Sequence, residues 1–263
     1  MRRLGQHFLA DQNILQKIVA ALDPAPDDVV LEIGPGKGSL TAVVAPVVGR
    51  VIAIERDARL AAELQVSGVR CQVVVADALD VDWHSLVYGH LTPDTRHRLK
   101  VLGNIPYYIT SPLIEKALTP PLPERVVFLV QKEVAERLAA PPGGKSYGAL
   151  SVGVQAVCRV EKVLVVRAGA FRPPPRVDSA VVRLTPRSDP AVTAEETAAF
   201  RVFVTACFGR RRKQLRNAVL AATGASREQV SALLERVGLT PTQRPETLSP
   251  EEFARLLRAS REL

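Results

Sequence analysis

Short β-branched apolar runs, each breaking into a polar or glycine-bearing segment, constrain this chain more than any other feature. The runs are Val29–Ile33, Val51–Glu55, Gln72–Ala76, Lys100–Leu102 and Arg125–Val130. Runs of that kind are strands buried on both faces, which requires helices on either side and hence a mostly parallel sheet. Between Ile14 and Leu22 the apolar residues fall at 14, 15, 18, 19 and 22, a helical spacing. Lys132–Ala140 predicts another helix, broken by Pro141-Pro142-Gly143-Gly144. Val160–Val166 and Ser179–Leu184 add two strands, joined through Phe171-Arg172-Pro173-Pro174-Pro175, whose prolines impose an extended, stiff connection. From Thr193 onward only helical periodicity remains, over about 193–208, 211–223, 226–237 and 249–260. Ser226 with Gln229, and Ser249 with Glu252, match capping boxes at two of those helix starts. The pattern predicts an α/β domain over residues 1–188 and a small all-helical domain over 189–263.

The strand ends carry ligand-competent groups in sheet order. Val29–Ile33 runs into Gly34-Pro35-Gly36-Lys37-Gly38 and then a helix from Ser39, so the backbone at Gly34 and Gly36 can approach a bound molecule closely. Glu55 closes the next strand, where a carboxylate accepts hydrogen bonds from both ribose hydroxyls of an adenosine-containing cofactor. Asp77 closes the third, where it can accept from an adenine amino group. Taken singly, either acid reads better as a helix cap or a surface carboxylate, and the ligand reading rests on three such loops in sheet order. NAD and S-adenosylmethionine both fit these three loops.

The fourth loop, Asn104-Ile105-Pro106-Tyr107, separates them. The exocyclic amine of adenine is a poor nucleophile, because its lone pair is delocalised into the ring. The Asn104 side-chain carbonyl and the Ile105 backbone carbonyl can each accept one of its N–H groups, which favours a pyramidal nitrogen with its lone pair aimed at a methyl donor. Pro106 fixes the turn without a competing N–H, and Tyr107 offers a face for the base to stack on. Phe171, held on its proline strut, is a candidate second wall, although a place in the core accounts for it as well.

These residues resemble the KsgA family of small-subunit rRNA adenine N6,N6-dimethyltransferases. The matching stretches are Gly5-Gln6-His7-Phe8-Leu9, Glu32-Ile33-Gly34-Pro35-Gly36, Asn104 to Tyr107, Leu129-Val130-Gln131-Lys132-Glu133, Phe171 to Val181 and Arg211 to Asn217, spread over nearly the whole chain. The resemblance implies a Rossmann-like methyltransferase domain with a small helical C-terminal domain. It also implies transfer of two methyls from S-adenosylmethionine to each of two adjacent adenosines near the 3′ end of small-subunit rRNA, within a pre-30S particle. By resemblance, cofactor contacts fall to His7, Leu9, Gly34, Gly36, Glu55, Asp77 and Asn104, and the target-base site to Asn104, Tyr107 and Phe171. The family's N-terminal motif usually reads Gly-Gln-Asn-Phe-Leu, and His7 stands here in place of the asparagine. If that position contacts the cofactor through its backbone, the change is benign; if the side-chain amide matters, cofactor affinity suffers.

Charge bears on the partner. The formal net charge of +8 and pI near 9.7 suit a polyanion such as nucleic acid, although 27 of the 35 basic residues are arginine, which an arginine-rich proteome also explains. Residues 190–263 hold 12 basic and 8 acidic residues, a denser net positive charge than the preceding 189. Within them Arg210, Arg211, Arg212, Lys213 and Arg216 cluster at an expected helix start, against the macrodipole and without nearby acids, which points to phosphate contact. Cys71, Cys158 and Cys207 are odd in number and lack metal-ligand spacing, so we expect reduced thiols, no metal and a cytoplasmic, monomeric protein. No signal peptide or membrane span is evident. Other readings share the motifs: a large-subunit rRNA adenine methyltransferase of the antibiotic-resistance type, a ribosome-assembly factor acting by binding, and, more remotely, an NAD-dependent dehydrogenase. Arg244-Pro245-Glu246-Thr247-Leu248-Ser249 and the following Glu-Glu-Phe segment resemble the small-subunit enzymes more closely.

Overall fold

A computed structural model describes residues 7–88, 99–209 and 213–263. In chain order the strands and helices are β1 (Phe8–Leu9), α1 (Gln12–Leu22), β2 (Val29–Ile33), α2 (Ser39–Val44), β3 (Arg50–Glu55), α3 (Ala58–Gln65), β4 (Gln72–Val75), α4 (Trp83–Tyr88), β5 (Leu99–Asn104) and α5 (Thr110–Ala117). They continue as β6 (Arg125–Gln131), α6 (Lys132–Leu138), α7 (Ala149–Gln155), β7 (Cys158–Val166), β8 (Phe171–Arg172), β9 (Ser179–Pro186), α8 (Thr197–Phe208), α9 (Leu215–Thr223), α10 (Arg227–Arg236) and α11 (Pro250–Ser260).

Seven strands form one sheet in the order β4-β3-β2-β5-β6-β9-β7. β2 pairs in parallel with β3 on one side and β5 on the other, and β4 and β6 extend the parallel ladder outward. β9 returns antiparallel to β6. The strand order therefore reverses at β2, and the crevice beyond its carboxyl end is where open α/β sheets bind ligands. All five residues of β2 are buried, as expected of a strand covered on both faces. α1 starts at Asp11, whose carboxylate accepts from the Ile14 N–H, and it buries Leu15, Ile18, Val19, Ala21 and Leu22 against α2, β6 and β9. Each large aliphatic side chain so buried contributes about 1.5–3 kcal/mol.

Two differences from the sequence reading have local causes. β5 runs on through Gly103 and Asn104, because Gly103 stays in register with Ile33 and Asn104 with Leu129. Gly103 lies so close to β2 that an added Cβ would sit 2.7 Å from the Ile33 carbonyl oxygen, which is why a glycine interrupts an apolar strand. α9 begins at Leu215 instead of 211, which leaves Lys213 ahead of the helix.

The chain divides into two compact units, Met1–Ala135 with Val160–Pro186, and Glu136–Arg159 with Arg187–Leu263. The single boundary expected near 188 thus becomes a discontinuous partition. Residues 136–159 belong with the helices, because α7 packs on α8 and α11, and the buried Tyr147 hydroxyl donates to the Leu248 carbonyl at 2.9 Å. The second unit has its own core of Phe200, Phe203, Val204, Leu215, Val219, Leu233, Leu234 and Phe253. Both capping boxes form, at Ser226 for α10 and Ser249 for α11.

Candidate active site

Beyond the carboxyl ends of β2, β3, β4 and β5 lies a cavity of about 350 Å³, lined by Gly34, Gly36, Glu55, Asp77, Asn104, Ile105 and Tyr107 among others. Parallel strands in this order bring their following loops to one edge, so residues as far apart in the chain as Gly34 and Tyr107 converge.

The glycine loop is the floor. Gly36 has φ +57°, a left-handed conformation that costs an L-residue roughly 1–2 kcal/mol. A Cβ there would also stand 2.9 Å from the Phe8 ring. Its N–H donates to Glu55 Oε2 at 3.0 Å, while Glu55 Oε1 accepts from the Asp57 N–H at 2.8 Å. Two backbone donors therefore hold a carboxylate that is only 5 % exposed, and each oxygen keeps a second lone pair for a hydroxyl in the cavity. Asp77 is held in the same manner: Oδ1 accepts from the Leu79 N–H at 2.9 Å, and Oδ2 pairs with Arg56 at 3.2 Å.

Asn104 is oriented by the N-terminal segment. Its Nδ2 donates to the His7 carbonyl at 2.9 Å, which makes its Oδ1 the atom left to accept in the cavity. His7 thus serves Asn104 through its backbone. Its ring does other work: Nδ1 donates to the Pro173 carbonyl at 2.8 Å, and the imidazole stacks on Tyr107 with centroids 5.9 Å apart and planes 27° apart. Tyr107 is fixed at its far end too, where its hydroxyl and Ser179 Oγ share a 2.8 Å hydrogen bond. Burial pushes the Tyr107 hydroxyl above its usual pKa, against the opposing pull of the Ser179 hydrogen bond, so it remains a neutral phenol.

Phe8 and Leu9 close the cavity from the N-terminal side, with Lys37 Nζ 5.0 Å from the centre of the Phe8 ring. They are held by a two-residue ribbon in which β1 pairs antiparallel with β8, Phe8 opposite Arg172 and Leu9 opposite Phe171. That ribbon also sets the place of Phe171. Phe171 is fully buried in the core cluster with Leu9, Leu15 and Ile18, and it is not among the cavity-lining residues. Opposite Leu9 in that ribbon, its ring packs into the cluster in this structure.

Among the cavity residues that the sequence reading did not name as site residues are Glu32, Arg56 and Tyr108. The second and third simply follow Glu55 and Tyr107 in the chain. Glu32 is 1 % exposed, and burial raises its carboxyl to about 7, with the Glu55 charge adding to that rise. The Thr41 hydroxyl works the other way, although neither Glu32 Oε2 nor Thr41 Oγ1 closes a hydrogen bond of good geometry among the described residues. Of the basic cluster, Arg210, Arg211 and Arg212 lie outside the described residues. Lys213 is exposed, and Arg216 is part-buried with an Nε that has no partner among the described residues.

Known proteins share this architecture. The chain is 41% identical over 263 residues to the ribosomal RNA small subunit methyltransferase A of Geobacter metallireducens, covering 98% of this chain and 94% of that one. It is 44% identical over 266 residues to the protein of that name from Pelotomaculum thermopropionicum, covering 96% and 88%. A crystal structure of a dimethyladenosine transferase from Plasmodium falciparum superposes with a TM-score of 0.77 at 30% identity, covering 95% and 96% of the two chains. The 23S rRNA methyltransferase ErmE superposes with a TM-score of 0.69 at 29% identity, covering 96% and 98%. Residues 1–261 match the family model for ribosomal RNA adenine dimethylase, and the chain belongs to that family.

Proposed function

We propose that this chain transfers methyl groups from S-adenosylmethionine to N6 of two adjacent adenosines near the 3′ end of small-subunit rRNA, giving N6,N6-dimethyladenosines. The observation that carries this reading is the pinned amide of Asn104: with Nδ2 committed to the His7 carbonyl, the side chain presents an acceptor and not a donor. An acceptor at that place suits an amine that must give up conjugation with its ring to become a nucleophile. Ile105 supplies a second carbonyl beside it, and Tyr107, fixed by Ser179 and His7, offers its remaining face to the base.

The cavity suits the proposed cofactor. Glu55 presents two oriented oxygens for ribose hydroxyls, Asp77 an acceptor for an adenine amine, and Gly34 and Gly36 a backbone without side chains to obstruct it. Leu9 and Phe8 contribute apolar lining. When bound, S-adenosylmethionine supplies a methyl group already activated on a sulfonium. The protein therefore needs no strong base: it positions the amine, excludes water, and leaves the product's proton to solvent. Lys213 and Arg216 of the helical unit, with the neighbouring arginines, contribute phosphate contacts that hold structured RNA by its backbone.

The large-subunit alternative shares the architecture, as the superposition with ErmE illustrates, but the relatives at 41% and 44% identity carry small-subunit names. Tritiated methyl transfer to undermethylated small and large ribosomal subunits tests the choice. Label is expected in small-subunit RNA, as dimethyladenosines that block primer extension, and it should fall at least a hundredfold with Asn104→Ala, the scale of losing an oriented polar group in a transition state. Label confined to large subunits, or full activity in the variant, would overturn the assignment.

A further inference from the structure

We propose that Tyr108 is a stacking platform for the nucleotide next to the target, so that the second of the two adjacent adenosines rests on it while the first occupies the cavity. This rests on the adenosine methyltransferase reading above and extends it to how the pair is handled.

Tyr107 and Tyr108 open a 3₁₀ helix spanning Tyr107–Ile109. Such a turn advances about 120° per residue, so the two rings leave it in different directions and do not sandwich the same base. Tyr107 is committed: its hydroxyl is bonded to Ser179 and one face is stacked on His7. Tyr108 lines the same cavity yet is 60% exposed. The turn that carries both is tied down, since Thr110 Oγ1 donates to the Pro106 and Tyr107 carbonyls and the Ile109 N–H donates to the Pro106 carbonyl. A lone exposed aromatic usually needs no explanation. Here it stands on a fixed turn, at the mouth of a cavity whose acceptors suit an adenine amine, one residue from the base-facing ring. Phe171, the other aromatic nominated for base contact, is sealed in the core.

The substrate creates the need. One Asn104 serves one amine at a time, so a base drawn into the cavity deprives its neighbour of a stacking partner. An exposed phenol ring replaces that stack with little sequence preference, at a strength that alanine substitution reads as roughly tenfold in affinity. In the next round the neighbour enters the cavity and the finished base takes the platform, for which a bulkier dimethylated amine is no obstacle.

The experiment compares Tyr108→Ala, Tyr108→Leu and Tyr108→Phe with the wild-type chain on undermethylated small subunits. Mass spectrometry of the RNA fragment counts methyls on each adenosine, and S-adenosylmethionine binding and thermal midpoint are measured alongside. Ala and Leu are expected to lower kcat/KM for the particle about tenfold and to leave one adenosine lagging behind the other. Phe should restore both the rate and the balance, while the cofactor Kd and the midpoint hold at wild-type values. Wild-type behaviour of Tyr108→Ala, or rescue by Leu as complete as by Phe, would overturn the proposal. Failure of the wild-type chain to methylate either adenosine would overturn the underlying activity, and the platform with it.

Discussion

At the scale of single residues, the groups found from sequence are those whose position follows from standing at, or just past, the end of a strand. Glu55, Asp77 and Asn104 were legible because parallel topology sends the end of every strand to the same edge, whatever the details of packing. For Phe171 the sequence left both the base site and the core open, because its direction depends on a two-residue ribbon too short to leave a periodic trace. Glu32 lies between these cases: its place in the strand was plain, its surroundings were not. It is enclosed by the sheet with the Glu55 carboxylate nearby, and its carboxyl is raised from 4.5 to about 7 by burial first and that charge second. Below pH 4.5 folded and unfolded chains both hold the proton, and no stability is lost. From 4.5 to 7 the unfolded chain releases it while the folded chain keeps it, so stability falls by about 1.4 kcal/mol per pH unit, to a total of about 3 kcal/mol above pH 7. Glu32→Gln removes that ionisation. Its thermal midpoint relative to wild type should therefore be distinctly higher at pH 8 than at pH 5, measured without cofactor; a pH-independent difference would mean that Glu32 titrates normally.

At the scale of elements, β2, β3, β5 and β6 were readable to within two residues because buried parallel strands carry an unbroken apolar signature. What joins them at the opposite edge from the cavity was not readable. Lys100, at the start of β5, looks like an ordinary polar flank, but it is 2% exposed. Its Nζ lies 2.8 Å from Asp28 Oδ2, itself 2% exposed, and donates to the Asp23 carbonyl at the end of α1. Asp23 in turn binds Arg125 of β6 at 2.9 Å, in a left-handed cap at φ 54°. This knot ties α1, β2, β5 and β6 together through groups 100 residues apart, which no local pattern announces. Lys100→Met keeps the aliphatic stem but strands a buried carboxylate, a change that costs about 3–5 kcal/mol. Urea denaturation should show that loss, and adding Asp28→Asn should recover part of it by removing the unpaired charge. A single variant within 1 kcal/mol of wild type would show that water reaches Asp28 in place of the lysine.

At the scale of the whole molecule, the change from alternating strands and helices to helices alone was visible near residue 188, yet the partition is not a linear one. The crossing falls inside α6, between Ala135 and Glu136, so the Pro141-Pro142-Gly143-Gly144 break, which reads as a loop inside one domain, already belongs to the second unit. Past it, the Gly143 N–H donates to the Glu246 carbonyl at 2.6 Å, Tyr147 packs edge-on to Phe208 and bonds Leu248, and α7 lies against α8 and α11. Tyr147, Val152 and Val154 are each at most 1% exposed in consequence. A chain cut after residue 188, the boundary that composition suggests, would keep all three and lose everything from α8 onward that covers them. Uncovering a tyrosine and two valines forfeits several kcal/mol of burial and leaves the Tyr147 hydroxyl without its acceptor. The 1–188 fragment should therefore bind a hydrophobic dye strongly and associate as its concentration rises, while the full chain does neither. Replacing Tyr147, Val152 and Val154 by polar residues in the fragment should reduce dye binding and association together. A monomeric 1–188 fragment that unfolds cooperatively and leaves the dye dark would mean that residues 136–159 find adequate cover without the helices after 188.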